Sequence, residues 1–438
     1  MRIIHITAGA GGRLCGSCLH DNTLVRTLRA RGRDAVLLPA YVPTTTDDEN
    51  VAEQRIVMGG VNVWLQEHLA IFRHTPRFLD GLLDAVLNRP AVLGWLAGRT
   101  GETRPADLGP LTVSTLMGAE GRQRKEVAKL TRWLAAEMRP DVVHLSNALL
   151  VGLAGPIRAA TGAPVVCSLS GEDIFTERIT EPHLGQVRRL LRERAADVDR
   201  FVALNDFFAD FMAEYLAVPR ARIVVIPHGV DLAPFPAEPP DLSARRRDHG
   251  GRLVVGFLAR ACPEKGLDQL VRALAVLARD RDVEVRAAGA TVDAERDYRA
   301  DCLRLAQDLG VAERFHWQGQ VDHAGKHALL REIDLFAMPT THPEAKGLPV
   351  IEALAAGVPV LAPAHGTFPE LLDGERAGLL HTPRDPAALA RAVARLADDT
   401  DLAAACGRHG HARARARHSS DRMAAEHEAV YERLVSGG

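Results

Sequence analysis

The chain has 438 residues, 47% of them apolar and 25% charged, with a formal net charge of −2. That length exceeds one ordinary core and suits two domains of roughly 200 residues each. A near-neutral balance and an aromatic content of 5% give no bulk support to polyanion or nucleic-acid binding.

The opening MRIIHITAGAGG enters a strand pattern at once, with no charged leader and long apolar run of a secretory signal. No stretch reaches the roughly 18–20 apolar residues that span a bilayer. Six cysteines form no disulfide framework, so the expected setting is a reducing cytoplasm. Ile3–Thr7, Ala35–Leu38, Val142–Leu145, Val165–Ser170, Phe201–Leu204 and Ile223–Ile226 read as buried strands. The pattern then repeats at Leu253–Leu258, Val283–Ala287, Phe315–Trp317, Leu335–Met338 and Pro359–Ala362, with helical periods between, as at Asp268–Ala278 and Ala294–Leu309. Alternation of this kind predicts α/β architecture with parallel sheets and right-handed crossovers.

Between the two series lies a Pro-rich stretch, Ala233–Pro240, followed by the charge run Arg245–Arg247. Proline lacks an amide donor, so this stretch cannot sit inside a sheet, and the hinge is placed within His228–Gly251. Two doubly wound Rossmann-like domains are expected to face each other across a ligand-binding cleft. The expected boundaries are residues 1–230, 231–418 and a terminal helix over 419–438. Residues 64–98 break the alternation and read as an inserted helical pair; the alternatives are a wall of an acceptor pocket or a surface resting on a membrane. His409, His411 and His418, with Arg413, Arg415 and Arg417, read as a solvated helix face.

Chemistry concentrates in the second half. A strand ends at Arg260, a short loop carries Lys265, and a helical period begins near Leu267. Two cations on a strand-to-helix loop suit a diphosphate: arginine grips two oxygens, lysine is a point charge, and the helix start adds amides. The alternative is a solvated surface loop. Further on, Glu344 lies on a loop and Glu352 one turn into a helix begun by Gly347 and Leu348. Carboxylates accept sugar or ribose hydroxyls, and the amides between suit phosphate; an acid in a first turn is also favourable for the helix alone. In the first half, the loop Gly9-Ala10-Gly11-Gly12 lets a ligand approach the backbone, although a lone glycine loop is a weak signal. Cys15 and Cys18 form a CxxC that admits structural, redox and metal readings, and no second ligand pair completes a zinc site.

In combination these segments resemble the retaining GT-B glycosyltransferases of family 4. The resemblance rests on Ala259-Arg260 with Glu264-Lys265-Gly266, on Glu344 and Glu352 followed by Ala356-Gly357-Val358-Pro359-Val360, and on Ile226-Pro227-His228-Gly229-Val230-Asp231. It implies a GT-B fold whose last helix crosses back to the first domain. The implied activity is metal-independent transfer, with retention, of a hexose-type sugar from a UDP- or GDP-linked donor to a hydroxyl acceptor. Arg260 and Lys265 would bind the diphosphate, Glu344 the sugar hydroxyls and Glu352 the ribose. Lys346, Gly347 and Leu348 would meet sugar and phosphate, Gly319 would lie near the base, and Gly11 and Gly12 would approach the donor. No protein nucleophile, cofactor or metal is implied.

The sequence departs from that family at the acceptor side. Ser146 stands where a histidine is frequent, and Ser170-Gly171-Glu172-Asp173 replaces a histidine–glycine loop. Ser146, Ser170, Glu172 and Asp173 are the candidate acceptor residues, with a solvated, helix-capping pair as the alternative for the two acids. The acceptor itself is left open among a glycan, a lipid-linked carrier and a small metabolite, and family members working at the inner membrane face make peripheral contact through residues 64–98 compatible. A sugar-nucleotide epimerase or hydrolase, or a non-catalytic nucleotide-sugar binder, are the rival readings.

Overall fold

The computed structural model describes residues 1–9, 16–46, 49–58, 108–291 and 295–437. The expectations for Gly11, Gly12, Cys15 and residues 64–98 fall outside the described residues. The chain divides into two compact units, Met1–Pro227 with Asp421–Gly438, and His228–Ser420.

The first unit is built on six strands: β1 (Arg2–Thr7), β2 (Asp34–Pro39), β3 (Val142–Leu145), β4 (Val165–Leu169), β5 (Arg200–Ala203) and β6 (Ile223–Val225). They run parallel in the order β2-β1-β3-β4-β5-β6. Every residue of β3 and β4 is buried, which is why both read as largely apolar runs rather than alternating ones, broken only by His144 and Ser168. Winding reverses between β1 and β3, so the loops after those strands diverge and leave a crevice at their carboxyl ends.

The expected return of the last helix is realised. Helix Ser420–Val435 places Met423, Ala424, Val430 and Tyr431 in one core with Ile3, Leu24, Val142 and Val166. Arg31 and Arg33 meet Glu428 at 2.9 and 3.1 Å, and Arg33 meets Glu432 at 2.7 Å. Beneath them lies a buried polar cluster. His144 Nδ1 is 2.6 Å from the Tyr431 hydroxyl and its Nε2 is 2.8 Å from Ser168 Oγ. The His5 ring stacks obliquely 4.5 Å from that of His144, and His427 lies 5.6 Å away. Burial lowers His427 to about 4, helped by the charge of its neighbours.

The second unit repeats the plan with β7 (Leu253–Leu258), β8 (Val283–Ala288), β9 (Phe315–Trp317), β10 (Leu335–Ala337), β11 (Val360–Pro363) and β12 (Gly378–His381). Their order is β12-β11-β10-β7-β8-β9, again parallel. Here winding reverses between β7 and β10, which pair through Leu335 with Val255 and Phe336 with Gly256. The predicted helices appear as Leu267–Leu277 and Arg296–Asp308.

Two differences from the sequence reading have clear causes. β12 was not expected, because its GLLH segment holds no β-branched residue and is four residues long. The predicted solvated face near residue 411 is corrected: His411 and His418 are buried. His411 Nε2 lies 2.9 Å from the Pro236 carbonyl, His418 Nδ1 2.9 Å from that of His228, and Arg413 donates to the Leu371 and Glu370 carbonyls. These side chains bond to carbonyls of the hinge segment, at His228 and Pro236, and of a short helix end at Glu370 and Leu371. Among the described residues no helix is long and apolar enough to cross a membrane.

Candidate active site

In the second unit the loops after β7 and β10 flank the point where winding reverses, the place where open α/β sheets bind ligands. The β7 loop carries Arg260, then a tight turn at Pro263–Lys265, then Gly266. Gly266 has φ +71°, and a Cβ there would lie 1.9 Å from the Pro339 carbonyl oxygen, so only glycine lets the two loops approach this closely. The contact is stitched further by Thr341, whose amide donates to the Glu264 carbonyl at 2.9 Å and whose hydroxyl donates to the Pro263 carbonyl at 2.9 Å.

This stitching brings two predicted residues together. Lys265 Nζ donates to Glu344 Oε2, with the carboxylate side chain 13% exposed. The Lys346 amide donates to the other carboxylate oxygen at 3.3 Å. Burial pushes the Glu344 carboxyl up, but the Lys265 charge and hydrogen bond, with the Lys346 amide and charge, outweigh it and bring the group to about 2. Glu344 is therefore an anion at neutral pH, able to accept hydroxyl hydrogen bonds and unable to serve as an acid.

Gly347, at φ +66°, opens helix Leu348–Ala355, and Gly266 opens helix Leu267–Leu277. The N-cap residue of both helices is glycine and gives no side-chain cap, although the Asp268 amide donates to the Tyr298 hydroxyl at 3.2 Å; the positive dipole ends of both helices begin in this loop pair. Arg260 is half exposed and meets Glu295 at 3.2 Å. Glu352 is buried within its helix and meets Lys326 Nζ, on helix His323–Glu332, at 2.7 Å. Gly319 follows β9 with φ +78°, and its carbonyl accepts from the Gly289 amide at 2.8 Å. Nearby, burial together with the charges of Lys346 and His418 holds His228 at about 3.

Lys326 and Glu295 were not singled out in the sequence. Nothing local marks them: each sits in an ordinary polar helical pattern, and its partner is 26 or more residues away.

The acceptor candidates gather at the carboxyl ends of β3 and β4 in the first unit. Ser146 is buried and its hydroxyl accepts from Asn147 Nδ2 at 3.4 Å. Ser170 Oγ lies 3.3 Å from Ser17 Oγ. Glu172 and Asp173 are both buried, which sets aside the solvated alternative. Glu172 spends its oxygens on the backbone, taking the Ala148 amide at 3.0 Å and the Ser170 amide at 2.7 Å, and so ties two strand-end loops together. Desolvation raises its carboxyl above the ordinary range against those two bonds. Of the CxxC pair, Cys18 is buried in helix Gly16–Ala30. The same strand ends border an apolar pocket of about 210 Å³.

Two doubly wound parallel units, one bearing a lysine–carboxylate pair at its switch point, have the GT-B architecture. The comparisons agree. The family described as Glycosyltransferase Family 4 matches residues 22–234, and Glycosyl transferases group 1 matches residues 241–413. The chain is 30% identical over 287 residues to a 2-deoxystreptamine glucosyltransferase of Streptomyces kanamyceticus, covering 63% of this chain and 71% of that one. It is 32% identical over 292 residues to a GDP-mannose-dependent alpha-(1-6)-phosphatidylinositol monomannoside mannosyltransferase of Mycolicibacterium smegmatis, covering 64% and 73%. In fold it is similar to the sucrose-phosphate synthase of Thermosynechococcus elongatus, with TM-score 0.72, 17% identity and full coverage of both chains. It is also similar to Anabaena HepE in complex with UDP, with TM-score 0.70 and 20% identity over 99% of this chain and 100% of that one. The chain belongs to glycosyltransferase family 4 and is a glycosyltransferase.

Proposed function

We propose that this enzyme transfers a hexose-type sugar, with retention and without a metal, from a UDP- or GDP-linked donor to a hydroxyl acceptor. The observation that carries the reading is the Lys265–Glu344 pair at the β7/β10 switch point, set between two helix starts with no side-chain cap. Such a place favours a diphosphate over most other ligands, because cation, amides and dipole act together. The nucleotide in the HepE complex and the GDP-mannose dependence of the mycobacterial relative support a nucleoside-diphosphate donor.

In this mechanism Arg260 and Lys265 take up the charge that develops on the leaving diphosphate. Lys265 exchanges part of its bond to Glu344 for phosphate oxygen as the donor enters. Glu344, held ionised, accepts hydroxyls of the transferred sugar, and Glu352 accepts ribose hydroxyls with Lys326 fixing its carboxylate. The acceptor hydroxyl bonds to the anomeric carbon from the face the diphosphate leaves as the bond from that carbon to the phosphate oxygen breaks, and its proton passes to the departing phosphate oxygen, so no protein nucleophile takes part. Two positioned cations supply the stabilisation that a divalent ion supplies elsewhere, on the order of 3–4 kcal/mol per donor.

A thermal-shift panel of UDP, GDP, ADP and their sugar conjugates, with and without magnesium, tests the donor assignment. The expected result is stabilisation by one nucleotide series, independent of magnesium and lost in Lys265→Ala. No response to any nucleotide overturns it. Proton NMR of the product then reads the anomeric configuration, and an inverted product refutes retention.

A further inference from the structure

The apolar pocket of the first unit lies at that unit's own switch point. Its wall combines Ala8, just after β1, with Asn147, just after β3, and with Leu111, Leu149, Leu150 and Phe175. Tyr41, following β2, closes another side, and burial pushes its phenol up to about 12, so it presents a neutral hydroxyl. The position is the one at which doubly wound sheets hold ligands, yet the lining is mostly hydrocarbon, with Thr112, Thr115, Asn147 and Tyr41 as its polar residues and no charged group among the described residues. A fully hydroxylated sugar placed here would lose its hydrogen bonds to water with few partners in return.

The pocket shares Asn147 with the polar strand-end cluster. Asn147 lines it, and the Asn147 Nδ2 donates to Ser146 Oγ at 3.4 Å. The next residue, Ala148, is anchored through its amide to Glu172, which also holds Ser170. A ligand with an apolar group in the pocket can set a polar end beside the Asn147 amide, the residue the two share. At about 210 Å³ the space exceeds the ~150 Å³ cavity that accepts benzene but falls short of the ~300 Å³ at which whole-ligand sites begin. It suits one substituent of about six carbons.

We propose that the acceptor of this enzyme carries a compact apolar group of about six carbons next to its reactive hydroxyl, and that this pocket is the subsite that selects it. The inference deepens the transferase reading and rests on it for the word acceptor, whereas the subsite can be tested without donor.

The experiment is calorimetric titration of the whole chain with methyl, butyl, hexyl and octyl β-glucosides, below micelle-forming concentrations and without nucleotide. Each methylene admitted should raise affinity about fourfold until the space is filled. The expected result is a gain of more than about tenfold from methyl to hexyl and none from hexyl to octyl. In Leu111→Gln, which sets an amide in the wall, and in Leu111→Trp, which fills the space, the gain should vanish while the melting temperature shows both variants folded. A flat series overturns the proposal, including the case in which the chain's own residues cover the pocket. So does a series that keeps rising past hexyl, or one unchanged in both Leu111 variants. If the nucleotide panel fails while the alkyl series behaves as stated, the donor reading falls and the apolar subsite stands.

Discussion

Replacing Lys265 by Met keeps the stem and removes the charge. Glu344 is then left 13% exposed without its counter-ion, bonded to the Lys346 amide. A carboxyl held at about 2 instead of 4.5 contributes about 3 kcal/mol to folding at neutral pH, since each tenfold change in proton affinity is about 1.4 kcal/mol. Most of that contribution should disappear in Lys265→Met, because the surviving carboxylate is buried with only the Lys346 amide and charge to offset its burial. For a unit of this size, about 2–4 °C of melting temperature accompanies each kcal/mol, so the second unit should melt roughly 6–10 °C lower. The double variant Lys265→Met/Glu344→Gln removes both charges and should regain most of the loss. Activity should separate from stability: transfer stays about 10²–10³-fold down in both variants, because the diphosphate has lost its cation. The pH dependence has a fixed sign. Glu344 is depressed in the folded state, so its contribution is present above 4.5 and lost as pH falls toward 2. Circular-dichroism melts and initial rates at saturating donor test these statements. A single variant that melts like the parent, or a double variant that regains transfer, refutes the reasoning.

Three further outcomes are expected. Arg260→Ala should cost about 10²–10³ in kcat yet shift stability by less than about 1 kcal/mol, because its bond to Glu295 is half exposed; equal rates for variant and parent would remove it from the mechanism. Gly266→Ala should destabilise by more than about 1 kcal/mol, since φ is +71° and the new Cβ meets the Pro339 carbonyl; an unchanged denaturation midpoint would contradict this. His427 is kept neutral by burial, so the unfolded chain takes up a proton first, and stability should fall as pH drops from 6.5 to about 4. The slope of melting temperature over that range should flatten in His427→Gln, and an unaltered slope would assign the effect elsewhere.

What the sequence makes legible follows from how each feature is encoded. Strands β3, β4 and β7 are buried on both faces, so their apolar runs announce them. β12 does not, because burial at the sheet edge is compatible with a leucine pair alone. Lys265 and Glu344 are visible as residues in a motif, while their bond across 79 positions depends on Gly266 letting two loops meet. Glu172 shows the converse. An acid beside a glycine reads as a ligand for hydroxyls, but its oxygens serve amides from two separate loops, a use that exists only once β3 and β4 are side by side. The arginines and histidines near residue 411 mislead for a related reason: the carbonyls they satisfy belong to segments far away in the chain.

The seating of helix Ser420–Val435 in the first unit has a consequence for biosynthesis. The second unit is contiguous in sequence and can complete its core as soon as it leaves the ribosome, while the first unit waits for Met423 and Tyr431, which are made only after the whole of the second unit. The portion synthesised first is thus finished last, and its partly formed sheet must persist through translation of nearly 200 further residues. A premature stop just before Asp421 would spare the adjacent unit and expose the distant one, with Ile3 and Val142 left bare to chaperones and proteases.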